Sequence, residues 1–280
     1  MAGFDHTLVA PPEVGDLVCP RRISAGGTAY HEVGEGEALL LIHGVGMRLE
    51  AWAPQIAELA KTHRVIAVDM PGHGESAGLP VGSTIVDFVA WLGGFLDDMQ
   101  LARVNIAGHS MGAMISGGAV ATFPERIARI AYLNGVHRRD PDAKAAVLAR
   151  AASIAATGVD KEGPLLRWFG SDPQSDRARQ LTRRWLEQVN PEGYAVAYSA
   201  FAAGDDVFYN CWAKVVCPAM FLTGDGDPNS TPEMAETMAA QARNGWARII
   251  VGHRHMVNLT APGIVNDMMR EWLATEERPK

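Results

Sequence analysis

The pentapeptide Gly108-His109-Ser110-Met111-Gly112 limits what its surroundings can be. Upstream, Ala102-Arg103-Val104-Asn105-Ile106-Ala107 is short and β-prone; downstream, residues 113–121 are small and apolar, as in a buried helix. A strand entering a helix through such a segment must turn sharply. The turn holds the serine in a strained conformation with its Oγ presented above a sheet. Glycines two residues before and two after the serine relieve the crowding. In a chain with 29 glycines a G-x-S-x-G match also arises by chance, so the strand before it and the helix after it carry the argument.

The alternation continues along the chain. Leu39-Leu40-Leu41-Ile42 and Val65-Ile66-Ala67-Val68 are fully apolar, as strands buried on both faces must be. Residues 127–133, 219–222 and 247–251 predict further strands. Trp52, Ile56, Leu59 and Ala60 have helical spacing, as do Val89, Leu92 and Leu96 within 85–99, and a last helix is expected over 262–274. Residues 23–25 and 28–33, joined by Gly26-Gly27, read as a β-hairpin. Such a chain makes a mostly parallel sheet covered on both faces, with its ligand site at the carboxyl ends of the strands. Residues 137–213 break the pattern: helical pieces are expected over 143–156, 165–169, 177–189 and 194–203, with no strand. The first twenty residues, with Pro11, Pro12 and Pro20, read as an irregular arm, and 276–280 as a polar tail.

Together these motifs resemble the α/β-hydrolase fold, over roughly Arg21 to Leu273. The resemblance implies an α/β core formed by residues 1–136 and 214–280, with an inserted helical cap over 137–213. It also implies a serine–acid–histidine order along the chain. Ser110 is then the nucleophile. A serine alcohol is a poor nucleophile near neutral pH and needs an adjacent base held by an acid. For the base, the family's G-x-x-H segment matches Gly252-His253-Arg254-His255 and selects His255, with His253 as the nearby rival. Asn258-Leu259-Thr260-Ala261-Pro262 follows, with threonine where the family often has glutamate. For the acid, Gly224-Asp225-Gly226-Asp227-Pro228 matches G-x-x-D and selects Asp227, although Asp225 lies close enough to stay a candidate. His43-Gly44-Val45-Gly46 matches the family's H-G-x-G, so the oxyanion donors are expected to be the backbone N–H groups of Val45 and Met111. Asp69-Met70-Pro71-Gly72-His73-Gly74-Glu75-Ser76 matches the D-x-P-G-x-G-x-S turn and is read as scaffold.

The substrate pocket is expected between core and cap, with Trp168, Phe169, Phe201, Phe208, Val45 and Met256 as apolar walls. Arg138 or Arg139 is placed to meet a carboxylate, with Arg139 preferred. A small ester or lactone is the expected substrate, through an acyl-enzyme. The same constellation serves amide and carbon–carbon hydrolases of ring breakdown and cofactor-free perhydrolases; it also occurs in ligand sensors on a hydrolase scaffold. Carbon–carbon hydrolases often carry tryptophan after the histidine, where this chain has Met256.

Composition narrows the remaining choices. The 280 residues are 48% hydrophobic, enough for one substantial core. A net charge of −7 and a pI of about 5.7 argue against a nucleic-acid partner. Three cysteines without C-x-x-C spacing give neither a disulfide framework nor a zinc site, and suggest a reducing compartment. The N-terminus has no basic segment leading into an apolar run, and no apolar stretch reaches the ~18 residues of a membrane span. A cytoplasmic protein acting on a small molecule, without metal or cofactor, is expected; self-association stays open.

Overall fold

The computed structural model describes residues 19–276, so most of the N-terminal arm and the last four residues of the polar tail lie outside it. Six strands form the parallel body of one sheet: β3 (Ala38–Ile42), β4 (Arg64–Val68), β5 (Val104–His109), β6 (Ile127–Leu133), β7 (Ala219–Gly224) and β8 (Gly245–Ile250). The expected hairpin, β1 (Arg22–Ile23) and β2 (Ala29–Val33), adds antiparallel to β4, giving the order β1-β2-β4-β3-β5-β6-β7-β8. This is the α/β-hydrolase fold.

The apolar runs serve both faces at once. Leu40, Ile42, Ile66, Val68 and Ile106 point to one face, under α2 (Ile85–Asp98) and α3 (Met111–Thr122). Their neighbours Leu39, Leu41, Val65, Ala67 and Ala107 point to the other, under α1 (Ala53–Leu59) and α10 (Pro262–Leu273). Two-residue periodicity with both registers apolar is the signature of a doubly covered strand. Each buried leucine or isoleucine contributes roughly 1.5–3 kcal/mol of transfer free energy.

Between β6 and β7 the chain forms four α-helices, a short 3-10 turn (Trp212–Lys214) and no strand: the α-helices are α4 (Pro141–Thr157), α5 (Glu162–Trp168), α6 (Pro173–Gln188) and α7 (Pro191–Ala203). Three start alike, with Asp140, Asp172 and Asn190 accepting a backbone N–H three residues on and proline at the first turn. Val147, Leu165, Phe169 and Tyr194 share one apolar cluster with the sheet residues, so these helices pack onto the core rather than beside it.

Two helices have no counterpart in the sequence reading, α8 (Pro232–Gln241) and the single-turn α9 (Val257–Thr260). α8 precedes β8, with Thr231 as its N-cap, the Thr231 side chain accepting the Met234 N–H. The Thr-Pro-Glu start is a helix signal, but the methionines and alanines that follow give little contrast between faces. No helix among the described residues is long and apolar enough to cross a membrane.

Candidate active site

All six parallel strands end at one edge, and the loops after five of them carry a motif read from the sequence. β3 leads into His43-Gly44-Val45-Gly46, β4 into the Asp69 turn, and β5 into Ser110. β6 leads into Asn134, β7 into the Asp225–Asp227 loop, and β8 into the His255 loop.

Ser110 adopts φ 56° and ψ −117°, the left-handed side of backbone space that an ordinary side chain avoids. The glycines around it are steric necessities. A Cβ on Gly108 would lie 2.1 Å from the Gly112 carbonyl oxygen, and one on Gly112 would lie 2.2 Å from that of Ile42. The strained turn is held by the Ser110 N–H, which donates to the Leu133 carbonyl at 2.9 Å. Ser110 itself caps α3, leaving the Met111 N–H at the helix start without a hydrogen-bond partner among the described residues.

Two buried histidines place Val45. His43 Nε2 accepts the Met70 N–H and His73 Nε2 accepts the Gly46 N–H, both at 2.9 Å, tying the β3 and β4 loops together. Each Nδ1 meets a carbonyl, that of Gly44 or Pro71. Only a neutral imidazole satisfies this pattern. Burial, with mutual repulsion, pushes His43 down to about 3, and burial pushes His73 down to about 4. Asp69 anchors the same corner, accepting the Leu49 and Glu75 N–H groups and the Arg21 guanidinium. The Val45 N–H has no partner among the described residues, and Val45 lines the same cavity as Ser110.

His255 Nδ1 and Asp227 Oδ2 are 2.8 Å apart, both buried. Burial alone would push the Asp227 carboxyl up. The His255 charge, its hydrogen bond, and donors from Asn134 and the Asn229 N–H outweigh burial and hold it below the usual range. Asp225 is excluded from this pairing: its Oδ1 accepts the Gly252 N–H at the exposed edge. His253 meets Thr260 Oγ1 instead. His109, behind the elbow, meets the His255 carbonyl through Nε2 at 2.8 Å and is pushed down to about 3 by burial and by the neighbouring His255.

Ser110 and His255 open on one cavity of about 340 Å³, within the usual size of small-molecule sites. Of the expected wall residues, Trp168, Phe201, Arg139 and Val45 line it. Trp168 lies 5.5 Å from the His255 ring at a 30° tilt. Phe169 and Met256 do not line it. Both are packed into the apolar core, 2% and 1% exposed, which corrects their reading as walls. Phe208 faces a separate small cavity, and Arg138 lies over the Tyr209 ring.

Sequence reasoning missed Arg150, Arg167, Tyr194 and Tyr198, which line the cavity from α4, α5 and α7, and Met234 of α8. Arg139, Arg150 and Arg167 give the wall three guanidinium groups, against the single acid Asp140. Arg139 is paired with buried Asp205 at 3.3 Å. Arg150 donates to the Tyr198 hydroxyl at 3.4 Å, and Arg167 Nε is buried without a hydrogen-bond partner. Burial and repulsion from Arg150 lower the Arg167 pKa.

A profile of the Alpha/beta hydrolase family matches residues 39–268, and the chain belongs to that family. It is 49% identical over 246 residues to the (E)-2-((N-methylformamido)methylene)succinate hydrolase of Acinetobacter baylyi, covering 88% of this chain and 94% of the relative. The 2-hydroxy-6-oxo-2,4-heptadienoate hydrolase of Pseudomonas putida is 37% identical over 124 residues, 41% of this chain and 44% of that one. Among solved structures, the enol-lactonase of Burkholderia xenovorans superposes with a TM-score of 0.79 at 26% identity, over 91% of this chain and 100% of that one. A thermophilic esterase of Thermogutta terrifontis shares the fold, with a TM-score of 0.82 at 24% identity over 91% of this chain and 97% of that one. The protein is a hydrolase.

Proposed function

We propose that the protein hydrolyses the N-acyl bond of a small unsaturated dicarboxylate amide, with (E)-2-((N-methylformamido)methylene)succinate as the reference compound. The observation that carries this reading is the wall of Arg139, Arg150 and Arg167 in the cavity that also holds Ser110 and His255. Arg139 is held by Asp205, so a neutral ester gives Arg150 and Arg167 no counter-charge, whereas a dicarboxylate offers two bidentate acceptors. The 49%-identical relative, whose name specifies a succinate, supports the same class.

In this reading residues 137–213 act as a cap that carries the recognition arginines, and Ser110 is the nucleophile. His255 removes the Ser110 proton as Oγ attacks the formyl carbon. The Val45 and Met111 N–H groups take the oxyanion. The tetrahedral adduct breaks its C–N bond as His255 protonates the departing nitrogen, leaving a formyl ester on Ser110. Water, deprotonated by His255, then releases formate. Asp227 keeps the imidazole oriented and balances its charge throughout. The departing nitrogen is conjugated through the double bond to a carboxylate, so an arginine on that carboxylate also stabilises the charge that develops as the C–N bond breaks. The same groups cleave esters, and hydrolysis of a small anionic ester or lactone is the second reading, supported by the likeness to the enol-lactonase.

Replacing Arg150 and Arg167 together by alanine tests the charge argument. The expected result is a fall in kcat/KM of about 10²- to 10⁴-fold on the dicarboxylate amide, with p-nitrophenyl acetate turnover within about threefold of wild type. Equal losses on both substrates, or no loss on the dicarboxylate, overturn it.

A further inference from the structure

Asp227 Oδ2, the oxygen 2.8 Å from His255 Nδ1, has a second donor. The side-chain amide of Asn134 donates to the same atom at 2.9 Å. We infer that Asn134 is a positioning residue for the acid–base pair, closing on the carboxylate from the end of β6 as His255 closes on it from the loop after β8.

The geometry around Asn134 is over-determined. It is fully buried with φ 47°, a left-handed conformation that favours glycine or asparagine. If the turn alone mattered, glycine would satisfy it. The asparagine backbone is fixed at both ends, its N–H donating to the Leu222 carbonyl at 2.7 Å and its carbonyl accepting the Ser230 hydroxyl at 2.7 Å. The side-chain nitrogen also reaches Thr223 Oγ1 at 3.1 Å and the Arg254 carbonyl at 3.3 Å. Thr223 gives its own proton to the Ser230 carbonyl, so its oxygen is free to accept. All three groups around the amide nitrogen are therefore acceptors, and a flipped amide would set its oxygen against the carboxylate. Asp227 Oδ1 meanwhile accepts the Asn229 N–H at 2.9 Å.

The carboxylate is thus gripped by donors from three loops, and Asn134 is the side chain that holds Oδ2 without taking part in proton transfer. Its hydrogen bond stabilises the ionised carboxylate. It also prevents rotation that would turn Oδ2 away from His255. Both effects act only through Asp227, and the inference rests on the reading of Asp227 and His255 given above.

That dependence supplies the test. Asn134→Gly removes the amide and suits the local φ, so the turn itself is not strained by the change. Turnover of p-nitrophenyl acetate is measured for wild type, Asn134→Gly, Asp227→Ala and the double variant. The expected result is a fall in kcat of about 10- to 100-fold for Asn134→Gly, with KM within about twofold. In the Asp227→Ala background the same glycine substitution is expected to change kcat by less than about twofold. A merely structural asparagine lowers kcat by the same factor in both backgrounds, and that outcome overturns the inference, as does an unchanged kcat in Asn134→Gly beside a deep loss in Asp227→Ala. Wild-type kcat in Asp227→Ala removes the acid assignment itself and this inference with it. Asn134→Ala takes the place of the glycine variant if the latter does not fold.

Discussion

Ser110→Ala is expected to lower kcat by about 10⁵- to 10⁶-fold on any substrate the protein turns over, while leaving its melting temperature close to that of wild type. The size of the effect follows from the division of labour at the strand ends. In the proposed mechanism no covalent acyl intermediate forms without Oγ, and His255 and Asp227 have no nucleophile to activate. The Val45 and Met111 N–H groups and the arginine wall remain, and leave a residual acceleration of about 10³- to 10⁴-fold over water. Alanine tolerates the φ of 56° as poorly as serine does, so the substitution adds no new strain at the elbow. Labelling by a fluorophosphonate is the companion readout: wild type is expected to be modified at Ser110 and the alanine variant not at all. Retention of more than about one per cent of kcat in the variant is incompatible with Ser110 as nucleophile.

Acidification is expected to unfold the protein over the range where ordinary histidines titrate. His43, His73 and His109 are fully buried and held neutral, at about 3, about 4 and about 3 against an ordinary value of 6.5. Between these values the unfolded chain binds protons that the folded chain refuses. Stability is therefore fully present above about pH 6.5 and lost as pH falls below it, at about 1.4 kcal/mol per pH unit for each histidine. Two units of acidification then remove on the order of 8 kcal/mol, comparable with the whole stability of a typical domain. Denaturant midpoints at pH 7.5, 6.5, 5.5 and 4.5 measure the slope. His109→Gln, which keeps a donor for the His255 carbonyl and cannot titrate, is expected to reduce that slope by about one third. A midpoint that holds steady from pH 6.5 to 4.5 contradicts the neutral-histidine account.

The core of the fold was readable because its strands are unusually explicit. Leu39 to Ile42 and Val65 to Val68 are apolar in both registers, and the glycines at 108 and 112 are dictated by contacts of about 2 Å that only the elbow geometry creates. Val45, Ser110, Asp227 and His255 were readable because each lies in a motif within five residues of a strand's end. The cavity wall was not. Arg150 and Arg167 sit on different helices, and only the packing of α4, α5 and α7 brings them together over Ser110. Their spacing along the chain contains no motif. Phe169 and Met256 illustrate the converse error: a large apolar side chain near a site either lines the cavity, as Trp168 and Phe201 do, or fills the core, and composition does not separate the two. Asn134 had a faint signal, a polar residue directly after a β-run and before Gly135, but its partner Asp227 is 93 positions away. The choice between ester and amide lies outside the motif altogether, because one constellation cleaves both. The charge of the wall bears on the charge of the substrate and not on that choice.

The central claim is tested most directly by formate release. Purified protein is mixed with (E)-2-((N-methylformamido)methylene)succinate and, separately, with p-nitrophenyl acetate, and kcat/KM is determined for each. The account expects one formate per substrate, kcat/KM of at least about 10⁴ M⁻¹s⁻¹ for the dicarboxylate, and a value at least about 100-fold lower for the neutral ester. Rapid cleavage of the neutral ester with no formate from the dicarboxylate would contradict it and leave a simple esterase in its place.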